Sequence, residues 1–124
     1  MNKLISRQVI KINEKLTGDT SPNTTLEAVD CILQEVYTKN EEWFYIFKDT
    51  ISKAAKFACE IYKQKLFVHK NLATAVFAMF ILLQINGIVL SGYNSDLNDL
   101  KSHILNNDNV AVESWINLYA EDNI

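Results

Sequence analysis

The sequence predicts an all-α protein: one compact bundle of about six helices around a central buried helix. Three observations carry this expectation. Glycine and proline are scarce, three and one in 124 residues, too few to turn the many short strands of a sandwich or barrel. Apolar residues recur at steps of three and four along most of the chain. From Leu72 to Leu83 only Thr74 is polar, so this helix is apolar nearly all round and belongs in the centre. The length suits a single domain over residues 1–124, and 48% hydrophobic residues is too many for a disordered chain.

Each element follows from its own pattern. Between Leu4 and Leu16, Ile5, Val9, Ile12 and Leu16 form one stripe, with Lys11, Glu14 and Lys15 off it. The run from Thr17 to Asn23, with Gly18 and Pro22, is a loop. Thr24 with Glu27 three residues later fits a capping box, opening a second helix to about Val36 that buries Leu26, Val29, Ile32, Leu33 and Val36. Asn40 caps a third helix with acidic Glu41 and Glu42 in its first turn, then Trp43, Phe44, Ile46 and Phe47. An interruption is expected at Asp49 or Thr50 before Ile51, Ala54, Ala55, Ala58 and Ile61 resume the period. Those alanines predict a close helix crossing.

The stretch Leu72–Leu90 is about long enough to cross a bilayer. Gln84 and Asn86 within it, Gly87 as a C-terminal stop and amphipathic helices on both sides assign it to the core instead. After Ser91-Gly92-Tyr93, Asn94 or Ser95 caps a helix with Leu97, Leu100, Ile104 and Leu105 inward. A last helix, Val110–Tyr119, turns Val112, Trp115, Ile116 and Tyr119 to one face.

The amino terminus does not read as a secretory signal, and Cys31 and Cys59, both within helical patterns, read as reduced, buried thiols. The reading is therefore a cytoplasmic protein with no membrane partner. No Cys/His spacing resembles a zinc site, so no metal ligands are expected from this pattern. A net charge of −3 argues against a general nucleic-acid binder. The charge is uneven. Residues 48–70 carry Lys48, Lys53, Lys56, Lys63, Lys65 and Lys70 against Asp49 and Glu60, while residues 94–124 carry six carboxylates against Lys101. Such blocks are solvated faces, or the basic one marks where an anion or an acidic partner docks.

The loop before the apolar helix reads Lys65-Leu66-Phe67-Val68-His69-Lys70-Asn71-Leu72-Ala73-Thr74-Ala75. With it the chain resembles the Doc (death-on-curing) branch of the Fic/Doc family, whose signature H-x-F-x-D/N-A/G-N-K-R-T-A precedes an apolar helix ending in Asn-Gly. Phe67, Asn71, Thr74, Ala75, Asn86 and Gly87 match without a gap. The likeness continues more weakly before the loop. Ile10-Lys11-Ile12-Asn13-Glu14 stands where the family often has an Ile-x-x-His-Asp-like start. Gly18 matches a loop glycine, Leu26-Glu27-Ala28 the start of the second helix, and Phe47 and Ala54-Ala55 the approach to the motif helix. The resemblance covers the whole chain and implies a Fic/Doc-like helical domain.

The departures fall on the chemical positions. The family's general-base histidine is Lys65 here, the acidic or amide residue after the phenylalanine is His69, and the Lys-Arg pair that holds nucleotide phosphates is Leu72-Ala73. The one arginine, Arg7, lies far away in sequence. An intact member, by resemblance, transfers a nucleotidyl or phosphoryl group from ATP, with magnesium, to a protein hydroxyl; Doc toxins phosphorylate a translation elongation factor and are held by a short antitoxin segment. Such transfer needs a base within reach of the hydroxyl and cations on the phosphates. Lysine is a poor base near neutral pH unless burial or neighbouring charge, here from Lys63, His69 and Lys70, acts on it.

Anion binding survives more easily, because the first-turn amides of a helix starting near Lys70-Asn71 face the loop whatever the side chains are. The phosphate loop would comprise Phe67, Lys70, Asn71, Leu72, Ala73 and Thr74, with Lys65 and His69 at the catalytic positions. His69 is otherwise a solvent-facing or capping residue, and Asn71 a cap or turn residue. The expectation is a degenerate Doc-like toxin–antitoxin or prophage protein that binds a phosphate ligand or an antitoxin-like acidic partner. The alternatives are an active divergent toxin acting on a host translation factor, with Lys65 or His69 as base, and a helical adaptor unrelated to the family. Richness in Lys, Asn and Ile points to an AT-rich bacterial or phage genome.

Overall fold

A computed structural model describes residues 2–18, 26–37 and 46–122. In chain order its elements are α1 (Ser6–Thr17), α2 (Leu26–Tyr37), α3 (Ile46–Lys63), α4 (Asn71–Gln84), β1 (Ile88–Leu90), a 3-10 turn (Asn94–Asp96), α5 (Leu97–Leu105), α6 (Asn109–Tyr119) and β2 (Ala120–Asp122). Among the described residues the architecture is all-α apart from one short antiparallel pair, in which Ile88 faces Asp122 and Leu90 faces Ala120.

The core is built on α3 and α4. Ile51, Ala54, Ala55, Phe57, Ala58 and Ile61 of α3 and Ala75, Ala78, Met79, Leu82 and Leu83 of α4 are almost wholly buried. Alanines on both helices let the two backbones approach closely. Around this pair α1 lies on α4, α2 on α1 and α3, and α6 on α3 and α5. The interruption expected at Asp49 or Thr50 does not occur. Helix α3 runs unbroken through them and Thr50 is buried, because neither residue removes a backbone donor and tertiary packing overrides weak propensity. Helix α4 is central but not covered all round, since Phe77 is 52% exposed.

The first stripe is corrected in part. Val9 is buried and Ile12 and Leu16 are half-buried, but Ile5 lies outside the helix and is exposed. Its N–H donates to Gln8 Oε1 at 2.9 Å, capping α1. The residue sequence periodicity missed is Asn13, buried at 1% exposure on the face toward α4. Gly18 ends α1 at φ 72°, its N–H donating to Glu14 C=O at 2.8 Å. In α2, Val29, Ile32, Leu33 and Val36 are buried as expected, whereas Leu26, at the first turn, is exposed. The caps expected at Thr24 and Asn40, the 19–23 part of the loop and the aromatic start at Trp43 and Phe44 lie outside the described residues. Cys59 is buried, but Cys31 is exposed on α2, so the expectation that both thiols are buried holds for one only.

Helix α4 stops where Asn86 and Gly87 turn the chain, Gly87 at φ 81°. Asn86 ties this corner to the amino-terminal arm: it accepts from Asn2 N–H at 2.6 Å and donates to Asn2 C=O at 2.9 Å. In α5 Leu100 and Ile104 are buried, whereas Leu105, the last residue of the helix, is exposed, contrary to expectation. In α6 Val112, Trp115 and Ile116 are buried. Trp115 donates from Nε1 to Asp96 C=O at 3.0 Å and stands among Phe80, Tyr93 and Tyr119. Among the described residues no helix is long and apolar enough to cross a membrane.

Candidate functional site

The loop between α3 and α4 is anchored from its first residue. Leu66 N–H donates back to Ile61 C=O at 3.3 Å and Lys65 N–H to Tyr62 C=O at 3.2 Å. This six-to-one and five-to-two pairing is a Schellman ending, with Lys65 at the position that usually holds glycine. Lys65 takes up the left-handed conformation there, φ 48°. Leu66 and Ile61, at the two positions that pair in the apolar contact of such an ending, are both buried. The Lys65 ammonium lies 3.4 Å from the centre of the Tyr62 ring, an attractive cation–π contact.

The middle of the loop is held by Phe67, 4% exposed, and by Asn71. Phe67 N–H donates to Asn71 Oδ1 at 2.8 Å and Asn71 Nδ2 donates to Phe67 C=O at 2.7 Å, so one side chain satisfies both backbone groups. Lys70 precedes the helix in the left-handed conformation, φ 62°, and its side chain does not cap. Its carbonyl accepts from Thr74 N–H at 2.9 Å. The first-turn amides of Asn71, Leu72 and Ala73 have no intrahelical acceptor, as in any α-helix, and carry the positive end of the helix dipole.

In front of this uncapped start is an open pocket of about 500 Å³, lined by Tyr62, Lys65, Val68, Lys70, Asn71, Leu72, Ala73 and Lys101. Three lysines reach it from three parts of the fold: the end of α3, the head of α4, and α5. Lys101 was not expected at the site, since in sequence it stands in an acidic segment. Its sequence neighbours say nothing of the packing of α5 against α3 and α4 that brings it here.

Of the expected site residues, the structure brings Lys65, Lys70, Asn71, Leu72 and Ala73 to this pocket. Phe67 and Thr74 are buried and, like the exposed His69, are not part of its lining. Thr74 Oγ1 accepts from Asn13 Nδ2 at 2.9 Å, a buried bond. Lys65 is exposed. Toward ATP with magnesium, the lining offers ammonium groups to phosphate oxygens but no carboxylate, the side chain that commonly holds magnesium.

The lysine-rich run 48–70 is not one basic face. Lys53 is buried at 3% exposure, and Lys56 lies 3.6 Å from a carboxylate oxygen of Glu35. Among the described lysines of this run, Lys65 and Lys70, both beyond the end of α3, line the pocket.

A second concavity, about 380 Å³ and mostly apolar, runs between α1 and α4. Leu4, Ile12, Leu16, Phe77 and Ile81 form its walls, with Lys11 and Lys15 on the rim. No family model matches the chain, and no curated protein or solved structure matches it.

Proposed function

We propose that this chain is a degenerate Doc-like protein, of the toxin–antitoxin or prophage kind, that binds a phosphate-bearing ligand and does not transfer any part of it efficiently. The observation that carries the reading is the convergence of Lys65, Lys70 and Lys101 on one pocket at the uncapped start of α4, with neither carboxylate nor imidazole in the lining. Three ammonium groups and a helix amino terminus attract phosphate oxygens. A group able to take the proton of an attacking hydroxyl is a separate requirement, and its loss lowers a rate by roughly 10²–10⁴. The order helix, lysine loop, apolar helix, Asn-Gly corner agrees with the family resemblance.

The test is calorimetric titration with tripolyphosphate and with ATP, beside incubation with ATP labelled at the α or γ phosphate. Binding without transfer of label supports the proposal. Label on protein would support the active divergent toxin, with Lys65 or His69 as base and a host translation factor among its substrates. Neither binding nor label would leave the helical adaptor.

The α1–α4 groove favours a second, compatible role, capture of an antitoxin-like acidic segment. Its walls are apolar, its rim is lysine, and Phe77 stands half-exposed within it. An amphipathic helix with acidic flanks fits such a groove. Co-purification with the product of the neighbouring gene, lost on Phe77→Asp, is the expected result; unchanged co-purification would place the partner elsewhere.

A further inference from the structure

The turn that carries Lys70 into the pocket is strained, exposed and tied down from a distant part of the chain. Val68, His69 and Lys70 are all exposed, and Lys70 adopts a positive φ of 62° without being glycine. Left-handed backbone at a residue with a Cβ persists only where its surroundings impose it. The apolar anchors Leu66 and Phe67 and the Asn71 bracket act on the preceding residues. What acts at the Lys70 joint itself is Asn13 of α1.

Asn13 is 1% exposed, so it cannot touch a ligand in the pocket. Its Nδ2 donates to His69 C=O at 2.9 Å and to Thr74 Oγ1 at 2.9 Å. These acceptors lie on either side of Lys70. The His69 carbonyl belongs to the same rigid peptide plane as the Lys70 nitrogen, so holding that oxygen restricts rotation about the Lys70 N–Cα bond, which is φ. Thr74 belongs to the first turn of α4, whose N–H closes on the Lys70 carbonyl at 2.9 Å. The bond to His69 thus holds the plane entering Lys70, while the bond to Thr74 orients the Asn13 amide against α4.

We infer that Asn13 is a positioning residue: it holds the His69–Lys70 peptide in the orientation that presents Lys70 at the pocket, and through it couples α1 to the lysine site. The geometric part stands on the hydrogen bonds alone, and its consequence for a phosphate ligand rests on the proposed function above. The separation of 56 residues between donor and loop acceptor explains why local sequence gives no hint of it.

Two readouts test this on the full chain. Asn13→Leu keeps the approximate volume and removes both bonds; Thr74→Val removes one acceptor and leaves the His69 bond in place. Amide hydrogen exchange at Lys70 and Asn71, compared with α3 amides of the same protein, should rise about tenfold in Asn13→Leu and stay near wild type in Thr74→Val. Tripolyphosphate affinity should fall about fivefold in the first variant only, as expected for one lost positioning contact. Should Asn13→Leu fail to fold, Asn13→Ser, too short to reach His69, replaces it in both measurements. Unchanged loop exchange in the folded Asn13 variant, or equal loosening by Thr74→Val, would overturn the inference. A loosened loop in a protein whose wild type binds no tripolyphosphate would sustain the positioning role and overturn the phosphate-binding function.

Discussion

Asn71 closes on the backbone of Phe67 from both sides, accepting from its N–H at 2.8 Å and donating to its carbonyl at 2.7 Å. A side-chain amide presents one acceptor and donors in the same plane, so it imitates a partner strand for a single residue. That pairing satisfies two backbone groups where the loop has no regular structure. Asn71→Ala should therefore destabilise the protein by about 1–3 kcal/mol, as for two lost hydrogen bonds beside a buried aromatic ring. Urea denaturation checks this, and a change within about 0.5 kcal/mol would mean the loop rearranges without loss.

Lys65 is the clearest case of stability set against presentation of charge. It occupies the glycine position of a Schellman ending, and left-handed backbone costs a residue with a Cβ about 1–2 kcal/mol. The Tyr62 contact offsets about 0.5–1 kcal/mol of that at an exposed site. Lys65→Gly should leave the melting temperature unchanged or raise it slightly, and weaken tripolyphosphate binding. A marked loss of stability, seen by calorimetry, would contradict this account of the turn.

Lys101 offers a test that separates binding from folding. It is half-buried on α5 and lines the pocket without taking part in the loop's own hydrogen bonds. Lys101→Ala should change stability by no more than about 0.5 kcal/mol. It should lower tripolyphosphate affinity several-fold at low salt, the difference shrinking as salt screens the charges. Equal affinities for wild type and variant at low salt would remove Lys101 from the site.

The two thiols should behave oppositely. Burial first, then the nearby carboxylates of Glu60 and Asp108, push the Cys59 thiol from 9.0 up to about 11. Near pH 8, a thiol reagent should modify exposed Cys31 rapidly and Cys59 only as the protein unfolds. The sign of the pH effect follows from the raised value. Cys59 binds its proton more tightly in the folded state, so its contribution is fully present below pH 9.0 and is lost as pH rises through about 11. Urea midpoints across that range should fall less steeply in Cys59→Ala than in the wild type.

Within α4 the consequences of truncation should divide by face. Leu83 is fully buried, and Leu83→Ala should cost about 2–5 kcal/mol. Phe77, half-exposed in the α1–α4 groove, should tolerate Phe77→Ala at a cost below about 1.5 kcal/mol. Denaturation of the two variants side by side tests whether the groove is a real opening on the central helix.

The sequence alone determined the helices and most of their inward faces. Spacing of three and four singles out Val29, Ile32, Leu33 and Val36, and Leu100, Ile104, Val112, Trp115 and Ile116, because a helix repeats its face at that interval and apolar side chains leave water. It failed at helix ends, at Ile5, Leu26 and Leu105, where a helical pattern persists but no neighbouring element covers it. The short pair of β1 and β2 was illegible for a related reason: three residues carry no period, and their hydrogen bonds join segments far apart in the chain.

At the site the division is sharper. Lys65, Lys70 and Asn71 were readable as a loop before an apolar helix, since that is a local arrangement. Tertiary structure alone decided that Lys101 stands beside them, that His69 does not line their pocket, and that buried Asn13 holds the His69 carbonyl. Charge and hydrogen-bonding capacity are properties of residue type, legible one position at a time. Which acceptor a donor meets depends on how helices cross, and that is fixed by the packing of side chains drawn from the whole chain.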